Sequence, residues 1–458
     1  MATTTVSIGS NQSISTVTPS SCSGSGPWTV NFSSTPSGNV AVGDIYVAQD
    51  ESSSFATFTF LLTAISGSDY TLKYLSCDDG GMMSCGSTSP CDIYDSFFST
   101  VAGTFKRAFS TITLFEAMVD DASPTYWGST DDVVGECHAD SAFTDSRVQF
   151  TNKQSLASVK LTVNSDDRHD GTAGNGVVIR PTAYAGSDNG IIESNIDNFI
   201  VEWFELDFTN TNTTKGIVLR GTNDDNIIRN NILHSRTGSP TANGIFAIHV
   251  VATGASSDTL SILNNIIYDW RETSDDTASG ININQWAGTV NIYNNTVYNI
   301  ESENSGSTKA ATCFRFNGNA NQVANVKNNI ASLLIASTAA EHRAYWDTGT
   351  GTSNVDYNLS DDTTNATYEA QGANSLKDKT LAQIDFVNTA AGSEDLHLDT
   401  DSVCREAGVD LGTTNGVNID IDGVDRDATD VTWDIGADQA SEAGADTTGK
   451  AFLIFLDT

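Results

Sequence analysis

The chain has 458 residues, of which 58 are acidic and 22 basic, giving a formal net charge of −36. Charge of this sign and size repels phosphate backbones and anionic lipid headgroups, which excludes nucleic acid and membrane surfaces as partners. No apolar run approaches the ~20 residues of a membrane span, and the length suits either several domains or one solenoid with an appended domain.

In chain order, residues 1–20 (MATTTVSIGSNQSISTVTPS) carry neither a basic n-region nor an apolar h-region, so no classical signal peptide is expected. The body is nonetheless rich in Ser, Thr, Asn, Gly and Asp, as exposed proteins are. Together these point to a virion surface or extracellular location. Period-two alternation through WTVNF, VAVGDIYVA, FATFTFLLTAI and DYTLKYL predicts a small antiparallel β-domain over 1–75. Residues 76–110 read as a Gly/Ser connector followed by a short helical cap. Cys77, Cys85 and Cys91 fall in the connector, and Phe98, Val101, Phe105, Phe109 and Ile112 follow at helical spacings of three and four. A helix there would cover the apolar end of a solenoid. Seven cysteines are an odd number, so at least one thiol is unpaired within the monomer.

From Gly176 the sequence repeats. Asn-Asn recurs at Asn230-Asn231, Asn264-Asn265, Asn294-Asn295 and Asn328-Asn329, intervals of 34, 30 and 34 residues. Each pair joins two apolar strands, as in NIIRNNILHS and LSILNNIIYDW. A further strand starts at Gly216, Gly244, Gly280 and Cys313, with a partial copy from Ala344. One period is one coil, in which each strand pairs in parallel with its counterpart ~4.8 Å away. Ile228, Ile262, Ile292 and Val326 are expected to form one inward column, and Ile217, Ile245, Ile281 and Phe314 another. Asn231, Asn265, Asn295 and Asn329 are expected at the corner, where Asn tolerates left-handed backbone and stacked amides bond along the axis. The predicted fold is all-β. A right-handed parallel β-helix over 111–390 follows the β-domain and cap and precedes a closing β segment and terminal strand, AFLIFLDT, over 391–458.

The coils from Gly176 to Ser360 resemble the right-handed parallel β-helix repeat (pectate-lyase-like) superfamily, of the phage and bacterial surface-protein type. GECHADSAF with NSDDRHDGTAGNGVVIRP resembles the lead-in of such proteins, and DLHLDTDSVCREAGVD with DIDGVDRDATDVTWDIGADQ their closing segment. The resemblance spans roughly Thr111 to Gln439 and implies architecture more than activity. The Gly-His-Gly and Arg-Ile-Lys motifs of its hydrolases are missing, and only Arg220 and Arg315 approach the basic residue its lyases use.

If the chain is an enzyme, Asp224 and Asp225 in GTNDDN are its candidate carboxylates, with Asp275 and Asp276 as a second pair and His249 nearby. Adjacent aspartates are also ordinary turn formers. No cofactor is expected beyond structural Ca²⁺, for which Asp420, Asp422 and Asp425 in DIDGVDRD are weak candidates lacking the twelve-residue frame. Arg168 and His169 in SDDRHDG are read as bracing the first coil, and Trp203 as core. Trp270, Trp286 and Trp346 end strands beside polar loops, and with Arg315 they are candidates for glycan binding. His234, His342 and His397 stand isolated. The sequence therefore favours a non-enzymatic virion surface protein, a phage fibre, spike or decoration. Its expected partners are other virion or filament proteins through the amino-terminal domain, a host surface glycan, and further copies of itself, as a trimer. A tailspike-like polysaccharide lyase or hydrolase, or an extracellular filament or adhesin subunit, are the alternatives.

Overall fold

In the computed structural model of the chain, residues 3–440 are described, apart from 11–12, 18, 24–26, 38, 50–56, 79–102, 122–126, 128–129, 184–185, 187, 210–212, 222–223, 239–243, 253, 274–275, 303–309, 337–341, 362–369 and 430–431. Cys85, Cys91, Phe98, Val101, Asp275 and the terminal AFLIFLDT lie outside the described residues. Among those described, no helix is long and apolar enough to cross a membrane.

The chain is a parallel β-helix with three sheets, visited once per coil. The first sheet has nine strands: Thr3–Ile8, Asp132–Cys137, Ser158–Val163, Phe199–Glu202, Asn226–Arg229, Thr259–Leu263, Thr289–Tyr293, Val323–Lys327 and Thr352–Asp356. The second has seven, of which Lys215–Gly221, Ile245–Ala252, Ala278–Asn284, Ala311–Asn317 and His342–Asp347 concern function. The third also has seven and includes Glu205–Asp207, Ile232–Gly238, Ile266–Glu272 and Thr296–Ser302.

Stacking follows from the sequence columns. Ile228, Ile262, Ile292 and Val326 are paired in register and fully buried. The second column needs one correction, because Ile217 pairs with Ile248, and Ile248 with Ile281. Ile245 instead sits beside Ala278. The ladder of this sheet skips one small residue per coil, namely Gly216, Ala247, Gly280, Cys313 and Ala344. Crowding explains the small size: a Cβ on Gly216 would lie 2.4 Å from the Ala247 carbonyl oxygen.

The asparagine pairs divide their labour. Asn231, Asn265, Asn295 and Asn329 are buried, and each amide nitrogen donates to the next amide oxygen at 3.0 Å, the row ending on Asn358 at 2.9 Å. The left-handed corner belongs to the first member, not the second: Asn230, Asn264, Asn294 and Asn328 have φ of 53°, 52°, 55° and 56°.

The amino-terminal part departs from the expected boundaries. A seven-stranded antiparallel sheet is present, but it runs from Ser15–Val17 to Gly103–Lys106, the latter strand pairing with Ile45–Gln49. Thr3–Ile8 belongs to the solenoid, paired in parallel with Asp132–Cys137. Phe105 is therefore in a strand, and Phe109 makes a bridge to Ile8. The helix covers only Ile112–Asp120, with the Thr111 hydroxyl accepting from the Leu114 amide. Its Phe115 packs edge-on against Phe150 and Trp127 at the start of the solenoid core. Buried Arg107 bonds Asp44 and Asp140 and so ties the antiparallel sheet to the coils.

Residues 371–440, here the closing segment, lie along the outside of the stack. A helix, Leu381–Ile384, and a short hairpin, Phe386–Asn388 with Asp395–Leu398, cover Ile232, Ile266, Ile330 and Leu359 of the third sheet. The left-handed asparagines hold its backbone, Asn264 donating to Ile419, Asn294 to Val417 and Asn328 to Val409.

Candidate functional site

Because one residue per coil is skipped in the second sheet, the residue just before it and the residue two places after it face outward from the sheet as two adjacent columns. One runs Lys215, Phe246, Ser279, Thr312 and Arg343; the other runs Val218, His249, Asn282, Arg315 and Trp346. Between and beside them lies a groove of about 620 Å³, lined by Asp188, Lys215, Arg220, Phe246, His249, Val251, Asp276, Thr277, Asn282, Asn284, Arg315 and Asn317. Its volume falls in the range of ordinary ligand sites.

The cations of the groove are not equivalent. Lys215 pairs with Asp188 at 3.1 Å and lies over the Phe246 ring. Arg220 meets Glu193 at 3.2 Å, a buried carboxylate also held by Arg147 at 3.0 Å. Arg315 forms no ion pair among the described residues, and its Nε–H is buried without a hydrogen-bond partner. Its guanidinium lies 4.5 Å from the Trp346 ring centre, which Arg343 also approaches at 3.7 Å. Burial lowers the Arg315 pKa, neighbouring Arg343 adds to that effect, and the charge of Asp276 opposes it.

Next to Arg315 in the column, Asn282 is 3% exposed and donates from Nδ2 to His249 Nδ1 at 2.9 Å. Its Oδ1 is buried with no partner. Burial, helped by Lys215 and Arg220, pushes His249 down to about 3. The imidazole is therefore neutral, and with Nδ1 accepting, its proton sits on Nε2. The groove thus offers hydrogen-bonding groups of both senses, whereas its carboxylates are committed. Asp276 accepts from the Gly244 and Thr277 amides, and Asp188 holds Lys215.

The sequence candidates are distributed unevenly around this site. His249 and Arg315 line the groove, and Trp346 stacks on Arg315. Trp270 and Trp286 are fully buried and cannot face a sugar; Trp270 packs edge-on against Phe208 within the solenoid. Trp203 is core, as read. Asp224 and Asp225 do not meet His249, for they precede the first-sheet strand Asn226–Arg229. There Asp224 accepts from the Thr259 amide at 3.0 Å and Asp225 from its hydroxyl, so both act as turn formers between coils. His169 is buried, bonds the Asn230 carbonyl oxygen at 3.0 Å, and sits beside Trp203, over which Arg168 lies.

Two histidines that looked isolated are in clusters. His234 joins Glu205 and Asp207, and His397 joins Asp422 and Asp438, each group having ligand-type atoms within 4.8 Å of one another. Internal bonds already occupy these groups. His234 bonds Glu205 and Ser235, Asp207 pairs with Arg180, and His397 is gripped by Asp395 at 2.5 Å and Asp422 at 2.8 Å. The proposed calcium residues do not gather into one ligand set. Asp420 caps the Asp422, Val424 and Gln439 amides, and Asp425 accepts from Asn418.

Lys215, Asn282 and Asp188 escaped the sequence reading, although a signal existed. His249, Asn282, Arg315 and Trp346 are separated by 33, 33 and 31 residues, the period of the coil itself. Aligning Gly244 with Gly216 displaced the frame by three residues and hid this column.

No known protein family and no curated protein matches the chain. Among solved structures, it is similar to the tailspike protein gp49 from Pseudomonas phage LKA1, at 12% identity and TM-score 0.18, over 82% of this chain and 68% of that one. It is also similar to the tailspike gp61 of Pseudomonas phage phi297, at 11% identity and TM-score 0.16, over 78% of this chain and 61% of that one. Likeness at this level assigns no function.

Proposed function

We propose that this chain is a non-enzymatic virion surface protein of the phage-tail type, which presents the second-sheet groove to a glycan on the host. The observation that carries the reading is the groove itself, where polar atoms of Asn282 and Arg315 are left without partners on a rigid stack while every carboxylate is engaged. Buried polar groups are ordinarily satisfied, so a surface row that is not satisfied from within is suited to a polyhydroxylated ligand. The lead-in and closing segments, by their resemblance to those of phage β-helix proteins, support the virion context. In this reading the antiparallel sheet over 15–106 attaches the solenoid to the particle, and copies associate as a homo-oligomer.

Hydrolysis would require two carboxyl groups ~5–9.5 Å apart across a bond. Glu116, pushed up to about 7 by burial and by Asp120, hydrogen-bonds Asp120 directly; in a second pair, Asp269 and Glu394, burial and the neighbouring carboxylate push Asp269 up to about 6. These two share a direct hydrogen bond, too close to hold a sugar between them, and they join the solenoid to its closing segment. The test is binding of the purified chain to host cells and to their extracted surface polysaccharide, with reducing ends assayed in parallel. Binding without release is expected, and Trp346→Leu should weaken it while lowering the melting temperature by no more than a few degrees, since the residue is only partly buried. Sustained release of reducing sugar would refute the non-enzymatic reading.

A further inference from the structure

The net charge of −36 makes the composition of the groove unexpected. Of 22 basic side chains in the whole chain, Lys215, Arg220 and Arg315 line this one groove, and Arg343 stands beside it on Trp346. A strongly acidic protein has carboxylates in excess with which to neutralise any cation, and it does so for Lys215 and Arg220. For Arg315 it does so only at a distance: Asp276 acts on it through charge, but no ion pair is present among the described residues, and a buried N–H remains open.

Resting on the glycan-contact reading, we propose that the groove recognises an anionic group on its saccharide, a carboxylate, sulfate or phosphate ester, seated on the Arg315 guanidinium. A guanidinium binds oxyanions through paired, planar N–H donors. Stacking on Trp346 fixes the plane of that fork before the ligand arrives, which lowers the ordering cost of binding. In the same column, the Nε2–H of neutral His249, whose ring Asn282 holds through Nδ1, donates to a sugar oxygen. Arg315 is thus the anion contact, His249 reads the ring beside it, and Asn282 and Trp346 are positioning residues. The spacing of the column is the parallel-strand repeat of ~4.8 Å, close to the span of a pyranose residue, so successive polar groups meet successive parts of one chain. A nucleic acid also carries phosphates, but the field of the surrounding acidic surface disfavours a long polyanion at one phosphate per few ångströms. A saccharide with spaced charges suffers less.

The experiment is calorimetric titration of the full chain at constant ionic strength. The probes are oligogalacturonate, chondroitin sulfate oligosaccharide, mannose-6-phosphate oligosaccharide, neutral maltohexaose and a single-stranded oligodeoxynucleotide, alongside the host polysaccharide. At least one acidic saccharide should bind about tenfold or more tightly than maltohexaose, and the probe that does so identifies the anion. Arg315→Gln should erase that preference and Arg315→Lys should retain part of it, with the melting temperature unaltered in both. Neutral and acidic saccharides binding alike, Arg315→Gln leaving the preference intact, or the oligodeoxynucleotide binding as tightly as the acidic sugars would each overturn the inference while leaving glycan contact standing. Failure of every saccharide, host polysaccharide included, would remove the glycan-contact reading as well.

Discussion

Asn295 illustrates how much one side chain carries at the corner of a coil. Its Oδ1 accepts from the Asn265 backbone and side-chain amides, and its Nδ2 donates to Asn329 Oδ1 and to the Ile262 and Tyr293 carbonyls. Alanine would strand the buried Asn265 backbone N–H. An unsatisfied buried polar group costs about 1–3 kcal/mol, so Asn295→Ala should lower unfolding free energy by about 2–4 kcal/mol. Urea denaturation checks this, and a loss below about 0.5 kcal/mol would show that the row is ornamental. The ladder was legible in the sequence because identical residues recur there at a nearly constant interval. The division of labour within each pair was not. Both members are Asn, and only backbone geometry shows that Asn264 turns the chain with φ of 52° while Asn265 fills the interior.

Among the elements, the closing segment is held by titratable groups whose signs agree. Burial pushes Asp420 up to about 7 against the opposing charge of Arg426, and pushes Asp438 up to about 6 against that of His397. The native state therefore holds more protons than the unfolded chain between about pH 4 and 7, and stability falls as pH rises through that window. Burial alone would lower His397, but hydrogen bonds and charge from Asp422, with Asp438 and Asp395 adding to them, raise it to about 10. Its contribution is complete below the unfolded value near 6.5 and is lost as pH rises toward 10. Melting temperature should thus decline from about pH 5 to about pH 9, with His397→Gln flattening the upper part of the decline. A curve that rises over this range would contradict the assignment. None of this was visible in the sequence, since His397 meets Asp422 and Asp438 only after the segment folds back along the stack. The amino-terminal strands were legible from their alternation, but Phe105 was assigned to a helix because spacings of three and four also arise by chance in a strand and its flanking turn. Its true partner, Tyr46, is 59 residues away.

For the molecule as a whole, the fold was largely readable and the groove only partly so. A solenoid writes its architecture in periodic columns, whereas its binding face depends on where a one-residue skip places the frame. Trp270 and Trp286 show the same difficulty, because strand-end tryptophans beside polar loops turned inward. Net charge acts at this scale too. Self-repulsion among 58 acidic groups opposes compaction, and added salt shortens its range from ~10 Å at 0.1 M to ~3 Å at 1 M. Raising sodium chloride over that interval should increase the melting temperature while weakening any ligand held by Arg315. Parallel change in both quantities would show that one electrostatic effect dominates the other.

The pairing of Thr3–Ile8 with Asp132–Cys137 makes the antiparallel sheet an excursion from the solenoid, not a bead threaded ahead of it. Two chain crossings connect the bodies, so a load on the antiparallel sheet reaches the neighbouring strands Thr3–Ile8 and Asp132–Cys137 together. During synthesis the same feature inverts the usual order of events. Thr3–Ile8 must wait for a partner strand made more than a hundred residues later, and the apolar side chains of Val6 and Ile8 stay uncovered until then.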